Sequence, residues 1–461
     1  MDYLGLLNDN SSKIFSRSKK IRDFIEKIVD EHSFVETDVF MSGSDSLEEA
    51  PGEGVVTGFA SIKDFPICII AQNIDVLGGS VGKAHAQKIL KCINRCIETA
   101  TPLISIIDSN GARLGEGLGV LEGYSEIIAA ATQLKNYAPH IAVIKGNAIG
   151  LMGMYAVSAD FLFFGKNSVL SANPPLTLSN SATFSPQGIL GKEPYLKNSL
   201  LSGMTYEKPE EIAHGISKLL HYLWDSVIES DDDPNRTADI LNTVANSQNL
   251  LEALADKDRT IEMFSEYTED IKTYFATINS IPVGLMITNS KRLNEKSIRK
   301  ATAFVDMLDR YGLPLVSLVD SQGLESNLEK EQQGLITTAY ELMASVSTSE
   351  IPKIAVITEY AIGYAYSALC SKATGFDYVL AFANAKAAPI SSDAAASIIY
   401  GMELGKKGDP VEVRQELAER YRKNEMNPFV SAKEGYIDNI IEPALLRPYV
   451  ASGLMMLLRR G

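Results

Sequence analysis

Cysteine, histidine and tryptophan are scarce in this chain: 461 residues carry four Cys, five His and one Trp. The cysteines are Cys68, Cys92, Cys96 and Cys370. The Cys92/Cys96 spacing is neither a CxxC nor a zinc pattern, which predicts buried free thiols in a reducing compartment. The histidines are scattered and form no HExxH, so no metal site is expected. No apolar run approaches the 18 or so residues that cross a bilayer. The first residues, "MDYLGLLNDNSSKIFSRSKK", hold no apolar core ahead of a small-residue cleavage site. Both absences predict a soluble, cytoplasmic protein. Positive charge is short as well. Lys and Arg number 43 against 58 Asp and Glu, a net charge of −15, which excludes the basic footprint of a general nucleic-acid binder. A local basic patch for an anionic ligand remains compatible with that field.

What the chain does have is a repeat. "PLISIIDSNGAR" begins at Pro102 and "PLVSLVDSQGLE" at Pro314, an offset of 314 − 102 = 212. "HIAVIKGNAIG" from His140 is echoed by "KIAVITEYAIG" from Lys353, and Gly150 and Gly363 are 363 − 150 = 213 apart. Two segments in the same order at one offset indicate a tandem duplication. The boundaries expected are 1–240 and 241–461.

A polar helix is read over residues 11–32, with Ile21, Phe24, Ile25 and Ile28 at helical spacing. A loop rich in Gly, Ser and Glu follows. "GVVTGFASI" and "FPICIIAQNI" read as paired strands, and strand–turn–helix units then alternate, implying α/β domains with largely parallel sheets. Residues 186–273 read as helical and charged, with "SDDDPNRT" from Ser230 as a linker. The second half resumes at "IPVGLMITN" and ends in "LLRRG".

In each half, two glycine-bearing turns follow successive buried strands and feed helices. Such turns leave backbone N–H groups free where the helix dipole favours negative charge. Two converging turns can aim two donors at one oxygen, the geometry of an oxyanion hole. The plainer alternative is that the glycines only permit tight turns.

"GGSVGKAHAQKI" from Gly78, "DSNGARLGEG" from Asp108, "NPF" from Asn427, "GYIDNIIEP" from Gly435 and the opening "KIRDFIEKIVDEHSFVE" from Lys20 carry a resemblance. In order, over nearly the whole chain, they resemble the carboxyltransferase (β) subunits of biotin-dependent acyl-CoA carboxylases and sodium-pumping acyl-CoA decarboxylases. The resemblance implies an α/β fold of tandem crotonase-like domains. The first half would take the acyl-CoA thioester and the second half of a neighbouring protomer would take biotin. Negative charge would build on the thioester oxygen and on the ureido oxygen, one oxyanion hole serving each. Biotin nitrogen would take the α-proton, so no side-chain base is required.

By position, the resemblance implies an acyl-CoA hole from Gly150 and Leu151 with Ala112. It implies a biotin hole from Tyr364 and Ala365, after the turn residue Gly363, with Gly323 and Leu324 in the facing turn. Gly111 and Arg113 would help hold substrate, Arg113 at CoA or the transferred carboxylate, with a surface salt bridge as the alternative. Lys83, His85 and Lys88 stand either near CoA phosphates or on a solvated helix face. Ser367 lies where the acyl preference of the family is partly set. With no Met-Lys-Met stretch and no GxxxxGK[ST] motif, the implied partners are a separate biotin carboxyl carrier protein and either a biotin carboxylase or sodium-pump subunits. A homo-oligomer, a hexamer built as a trimer of dimers, is implied too.

The chain departs from the pattern at defined places. Paired glycines read Gly150-Leu151 and Gly363-Tyr364, "SGGAR" reads "SNGAR" with Asn110, "DxPGF" reads "DSQGL", and "MGxxGA" reads "ISSDAA". Three readings follow: a carboxyltransferase working in either direction, including as the decarboxylating component of a pump; a crotonase-type hydratase or hydrolase; and a non-catalytic homologue pairing with an active subunit. Hydration needs carboxylates as acid and base. No Asp or Glu occurs between Gly146 and Ser158 or between Ala361 and Thr374, which counts against the second.

Overall fold

Every residue of the strand "LISIIDS" is buried, and so is nearly every residue of "LVSLVDS". Strands covered on both faces belong in the middle of a parallel sheet flanked by helices. The computed structural model places them there. It describes residues 3–43, 49–178, 190–225, 227–289, 292–399 and 409–458. Residues 44–48 of the expected loop and the last three residues of "LLRRG" lie outside the described residues.

The chain divides into two units, residues 1–220 and 221–461. The division falls 240 − 220 = 20 residues before the expected boundary, inside one helix. In the first unit α1 (Tyr3–Glu26) precedes β1 (Val35–Thr37), β2 (Val55–Ile62), β3 (Phe65–Gln72) and α2 (Lys83–Thr99). Then come β4 (Leu103–Ser109), α3 (Gly119–Leu134), β5 (His140–Ile149), α4 (Leu151–Val157), β6 (Phe161–Gly165), β7 (Val169–Ser171) and β8 (Gly203–Tyr206). Helix α5 (Pro209–Trp224) carries the division. The sheet order is β1-β2-β3-β4-β5-β6-β8, with β7 beside β5.

The second unit repeats this. It runs β9 (Thr260–Met263), β10 (Ile271–Ile278), β11 (Ile281–Thr288), α6 (Glu295–Tyr311), β12 (Leu315–Ser321), α7 (Leu335–Thr348) and β13 (Lys353–Ile362). It continues with α8 (Tyr364–Leu369), β14 (Tyr378–Phe382), β15 (Lys386–Ala388) and β16 (Asn439–Ile441). Its sheet order, β9-β10-β11-β12-β13-β14-β16 with β15 beside β13, maps strand for strand onto the first. Even the hairpin turns agree. Lys63-Asp64 and Asn279-Ser280 both have positive φ at two successive residues, the turn that matches strand twist.

Three expectations change. The N-terminal helix begins eight residues earlier than residue 11, at Tyr3, though Ile21, Ile25 and Ile28 are buried as the periodicity predicts. The middle segment is not wholly helical, because β8, β9 and the start of β10 fall within it. "SDDDPNRT" is no free linker. Arg447 donates to the Asp233 carbonyl at 3.0 Å, and Arg236 pairs with Asp232 at 3.0 Å.

In the first unit α2 and α3 pack a core of Ile89, Ile93, Tyr124, Ile127 and Leu134 against β4 and β5. Burying each such aliphatic side chain contributes about 1.5–3 kcal/mol. That core holds rigid the strand ends from which the turns project.

Candidate functional site

β4 ends in a register shift between Ile107 and Ser109, and the chain then turns through Gly111 at φ 108°. Val81 donates to the Gly111 carbonyl at 2.9 Å, and Arg113 N–H donates to the Val81 carbonyl at 2.9 Å. A parallel bridge of this kind uses the groups on either side of Ala112 and leaves its own N–H facing the other way. β5 ends at Ile149, Gly150 follows with φ 67° and ψ −134°, and α4 starts at Leu151. The two turns converge: a Cβ on Gly111 would lie 3.6 Å from the Ile149 carbonyl oxygen.

The second unit copies this bond for bond. β12 shifts register between Val319 and Ser321. Leu293 donates to the Gly323 carbonyl at 2.8 Å, and Glu325 N–H to the Leu293 carbonyl at 2.8 Å. Leu324 takes the place of Ala112 in the bridge. Gly363, φ 54° and ψ −118°, opens α8. A Cβ on Gly323 would stand 3.0 Å from the Ile362 carbonyl oxygen.

This geometry sorts the expected site residues. Gly150 N–H donates to the Ser171 carbonyl at 2.7 Å, and Gly363 N–H to the Ala388 carbonyl at 2.9 Å. Neither glycine is therefore a free donor, which changes the expectation for Gly150: their N–H groups complete the sheet, and their φ sets the turn. Gly111 and Gly323 donate to Ser109 Oγ and Ser321 Oγ at 3.2 and 3.3 Å. Among the described residues of these turns, no protein acceptor is found for Leu151 N–H and Ala112 N–H in one unit, or for Tyr364 N–H and Leu324 N–H in the other. Ala365 follows as the second residue of α8, where a first-turn N–H has no intrahelical acceptor.

The Leu and Tyr that replace glycines do not fill the site. Leu151 packs against the core of the first unit. Tyr364 donates its hydroxyl to the Ala339 carbonyl of α7 at 2.7 Å. Beside Gly363 opens a cavity of about 790 Å³ lined by Tyr366, Ser367, Ala388, Lys372 and Tyr436, and Tyr364 is not among its lining residues. The sequence singles out Gly363 and Ser367, but not the closure of the walls by residues 387–389 and 425–436.

Arg113 is committed within the protein. Its Nη1 meets Glu53 Oε2 at 2.8 Å and Glu116 Oε1 at 3.0 Å, and its Nη2 donates to the Ser80 carbonyl at 3.2 Å. Glu53 is 1% exposed, so this pair is not the surface salt bridge of the alternative reading. Burial alone would raise the pKa of Glu53, but the Arg113 hydrogen bond, the Gly43 N–H and the guanidinium charge bring it below its ordinary value. His85 and Lys88 are on neither a phosphate site nor a solvated face. His85 Nδ1 donates to the Glu53 carbonyl at 2.8 Å, and burial takes its pKa down to about 3. Lys88 Nζ donates to the Gly52 and Val55 carbonyls at 3.0 and 2.7 Å, and burial takes its pKa down to about 8. Its counterpart 300 − 88 = 212 residues on, Lys300, is buried in the same way and donates to the Thr268 carbonyl at 3.0 Å. Lys83 is exposed.

All four cysteines are buried and free. Cys68 on β3 faces Cys92 and Cys96 one turn apart on α2, and the three Sγ atoms lie within 4.8 Å of one another. The four-residue spacing gives two members of this triad; the strand partner is not legible.

Two α/β units, each with a pair of converging glycine turns at the ends of adjacent parallel strands, define a tandem crotonase-like protein. A profile of the carboxyl transferase domain matches residues 16–460, and the chain belongs to that family. It is 28% identical to the carboxyltransferase subunit of propionyl-CoA carboxylase from Haloferax mediterranei, over 95% of this chain and 90% of the relative. It is 27% identical to the 12S subunit of methylmalonyl-CoA carboxyltransferase from Propionibacterium freudenreichii subsp. shermanii, over 94% and 88%. The methylmalonyl-CoA decarboxylase subunit alpha of Veillonella parvula is 28% identical over 95% and 89%. A solved hexameric transcarboxylase 12S structure with methylmalonyl-CoA bound superposes with a TM-score of 0.91 and 25% identity, over 99% of this chain and 95% of that one.

Proposed function

We propose that the protein transfers a carboxyl group between biotin on a separate carrier protein and a short-chain acyl-CoA, using one backbone oxyanion hole for each substrate. The observation that carries this reading is the duplicated pair of turns, which leaves two N–H donors in each unit. On the acyl-CoA side, Leu151 and Ala112 N–H groups stabilise the charge that grows on the thioester oxygen as the α-carbon becomes nucleophilic. Each such donor contributes about 2.7–4 kcal/mol to transition-state stabilisation. On the other side, Tyr364 and Leu324 N–H groups serve charge on an oxygen bound beside Gly363. The 790 Å³ cavity there, largely apolar with Ser367 and Lys372 at its edge, is of the size that takes a bicyclic group such as biotin. When bound, biotin supplies the nitrogen that carries the carboxyl group. No side-chain base is asked of this chain.

The hexamer of the solved relative supports an oligomer here, with each acyl-CoA half completed by a neighbour's biotin half. The Veillonella relative favours the reverse direction as a second reading, with this chain removing CO₂ from a carboxylated acyl-CoA. The packing of Leu151 against its core and the Tyr364 hydrogen bond to α7 count against the reading as a non-catalytic subunit.

The test is CO₂ release from malonyl-, methylmalonyl- and glutaconyl-CoA by the purified protein, first with free biotin and then with biotinylated carrier. Biotin-stimulated release from one of them is expected. Binding of all three without turnover under either condition overturns the proposal.

A further inference from the structure

A continuous run of buried polar contacts joins the two turns of the first unit. It starts next to Ala112, at Arg113, whose guanidinium meets the Glu53 carboxylate at 2.8 Å. Glu53 sits in a left-handed conformation, φ 59° and ψ 13°, between two glycines that also have positive φ. Gly43 N–H and Ser42 Oγ hold its other oxygen at 2.9 and 3.2 Å. The Glu53 carbonyl then accepts from His85 Nδ1 at 2.8 Å. A carbonyl can only accept, so the proton is on Nδ1 and Nε2 is the acceptor. Gln72 Nε2 donates to that Nε2 at 3.2 Å and lies 3.4 Å from Met152 Sδ. Met152 is the residue after Leu151. The run therefore begins beside one proposed donor and ends beside the other.

Only its Arg113 end reaches toward solvent, with a side chain 16% exposed. His85 is 0% exposed, and Glu53, Gln72 and Met152 are buried with it. Hydrogen bonds are directional and short in reach, so this run sets distances more sharply than apolar packing does, although Gln72 Oε1 and Arg113 Nε have no protein partner. Among the described residues, the second unit has no copy of it. Arg113 is replaced at offset 212 by Glu325, which cannot pair with a carboxylate, and His85 by Ser297. Ser297 is occupied in the capping box of α6 with Asn294. The backbone of the two sites is duplicated, but the tie between turns belongs to the first unit.

We propose that Glu53 and His85 are positioning residues that set the separation of the Ala112 and Leu151 N–H groups, tuning the acyl-CoA side for the enolate over the ground-state thioester. This rests on the oxyanion-hole reading of the same site. Neither residue touches substrate; each acts through a turn.

His85→Leu removes both the donor and the acceptor at nearly constant volume. His85→Gln restores one of each. The carboxyl-transfer reading predicts that His85→Leu lowers kcat at least tenfold with KM for acyl-CoA changed less than threefold, while His85→Gln stays within about threefold of the parent. Glu53→Gln, which keeps shape and removes the charge that holds Arg113, is expected to act as His85→Leu does. The second readout needs no turnover. A nitroalkyl-CoA whose nitronate mimics the enolate, and a saturated thioether-CoA that does not, are titrated into each variant by calorimetry. Expected is a tenfold or greater loss for the nitronate analogue alone, in whichever of His85→Leu and Glu53→Gln remains folded by circular dichroism. Equal affinities of parent and folded variants for the nitronate analogue overturn the positioning role. Loss of both ligands in parallel does so too, since it reports a general structural defect. A parent protein that binds the nitronate analogue tightly but transfers no carboxyl group leaves this inference standing and removes the function proposed above.

Discussion

The Tyr364 hydroxyl donates to the Ala339 carbonyl at 2.7 Å, which turns the ring toward α7 and away from the cavity beside Gly363. A bulky residue thereby occupies a position at which the resembled family has glycine without closing the site. Tyr364→Phe should lose about 1 kcal/mol of stability, the net worth of such a bond, and keep biotin-stimulated turnover within about twofold. Tyr364→Gly should bring no gain in rate, because there is no obstruction to remove. Thermal unfolding and CO₂ release measure the two effects.

Gly150 and Gly363 occupy backbone conformations that residues with a Cβ rarely adopt. Gly150→Ala and Gly363→Ala should each cost about 1–3 kcal/mol. Gly363→Ala should be the worse of the two. Its Cβ would stand 3.0 Å from the Pro389 carbonyl oxygen, whereas that of Gly150 meets nothing within 4 Å. Urea unfolding of the two variants checks the order.

Arg447 is 1% exposed and donates to the Leu254 carbonyl at 2.6 Å and to Asp256 at 2.5 Å. Arg447→Ala leaves the buried Asp256 without its cation and should cost about 3–5 kcal/mol. The loss belongs to the second unit alone, so hydrogen exchange should rise there with the amides of β4 and β5 unaffected.

His140 is buried, with Nε2 2.9 Å from Ser105 Oγ, and burial takes its pKa down to about 3. The unfolded chain takes up a proton near pH 6.5, but the folded protein does not until about pH 3. Stability therefore falls as pH drops through that window, by up to about 1.4 kcal/mol per pH unit for each such histidine. His85 adds a second slope of the same sign. His140→Gln should flatten the decline between pH 6.5 and 5 by one proton's worth, read from urea midpoints.

The repeat was legible because its signal is backbone logic: an apolar strand, then a glycine where φ must be positive, at a constant offset. What stayed hidden depends on partners far away in sequence or on residue types that usually mean surface. Glu53 lies 60 residues from Arg113. His85 and Lys88 on a predicted helix suggest a wet face, yet the loop around Gly52 folds over them and offers its carbonyls. Strand β10, "IKTYFATI", sat unread in a segment dominated by charged helices, although its polar–apolar alternation is weak only because both faces are largely covered. Gly150 and Gly363 were recognised as turn residues, but only the positions of β7 and β15 show that their N–H groups are taken.

The offset between halves is 212 residues at Gly111 and Gly323 but 213 at Gly150 and Gly363. One chain thus carries two sets of closely similar strands, and a slip of one residue turns a strand's side chains to the opposite face. During synthesis the first set emerges and closes its sheet before the second leaves the ribosome, so the look-alike strands never compete. Released together from denaturant, they do compete, because Leu315 pairs with Lys353 in one sheet as Leu103 pairs with His140 in the other, and the extra residue lies between those strands. Birth order, more than sequence difference, keeps the two halves from being mistaken for each other.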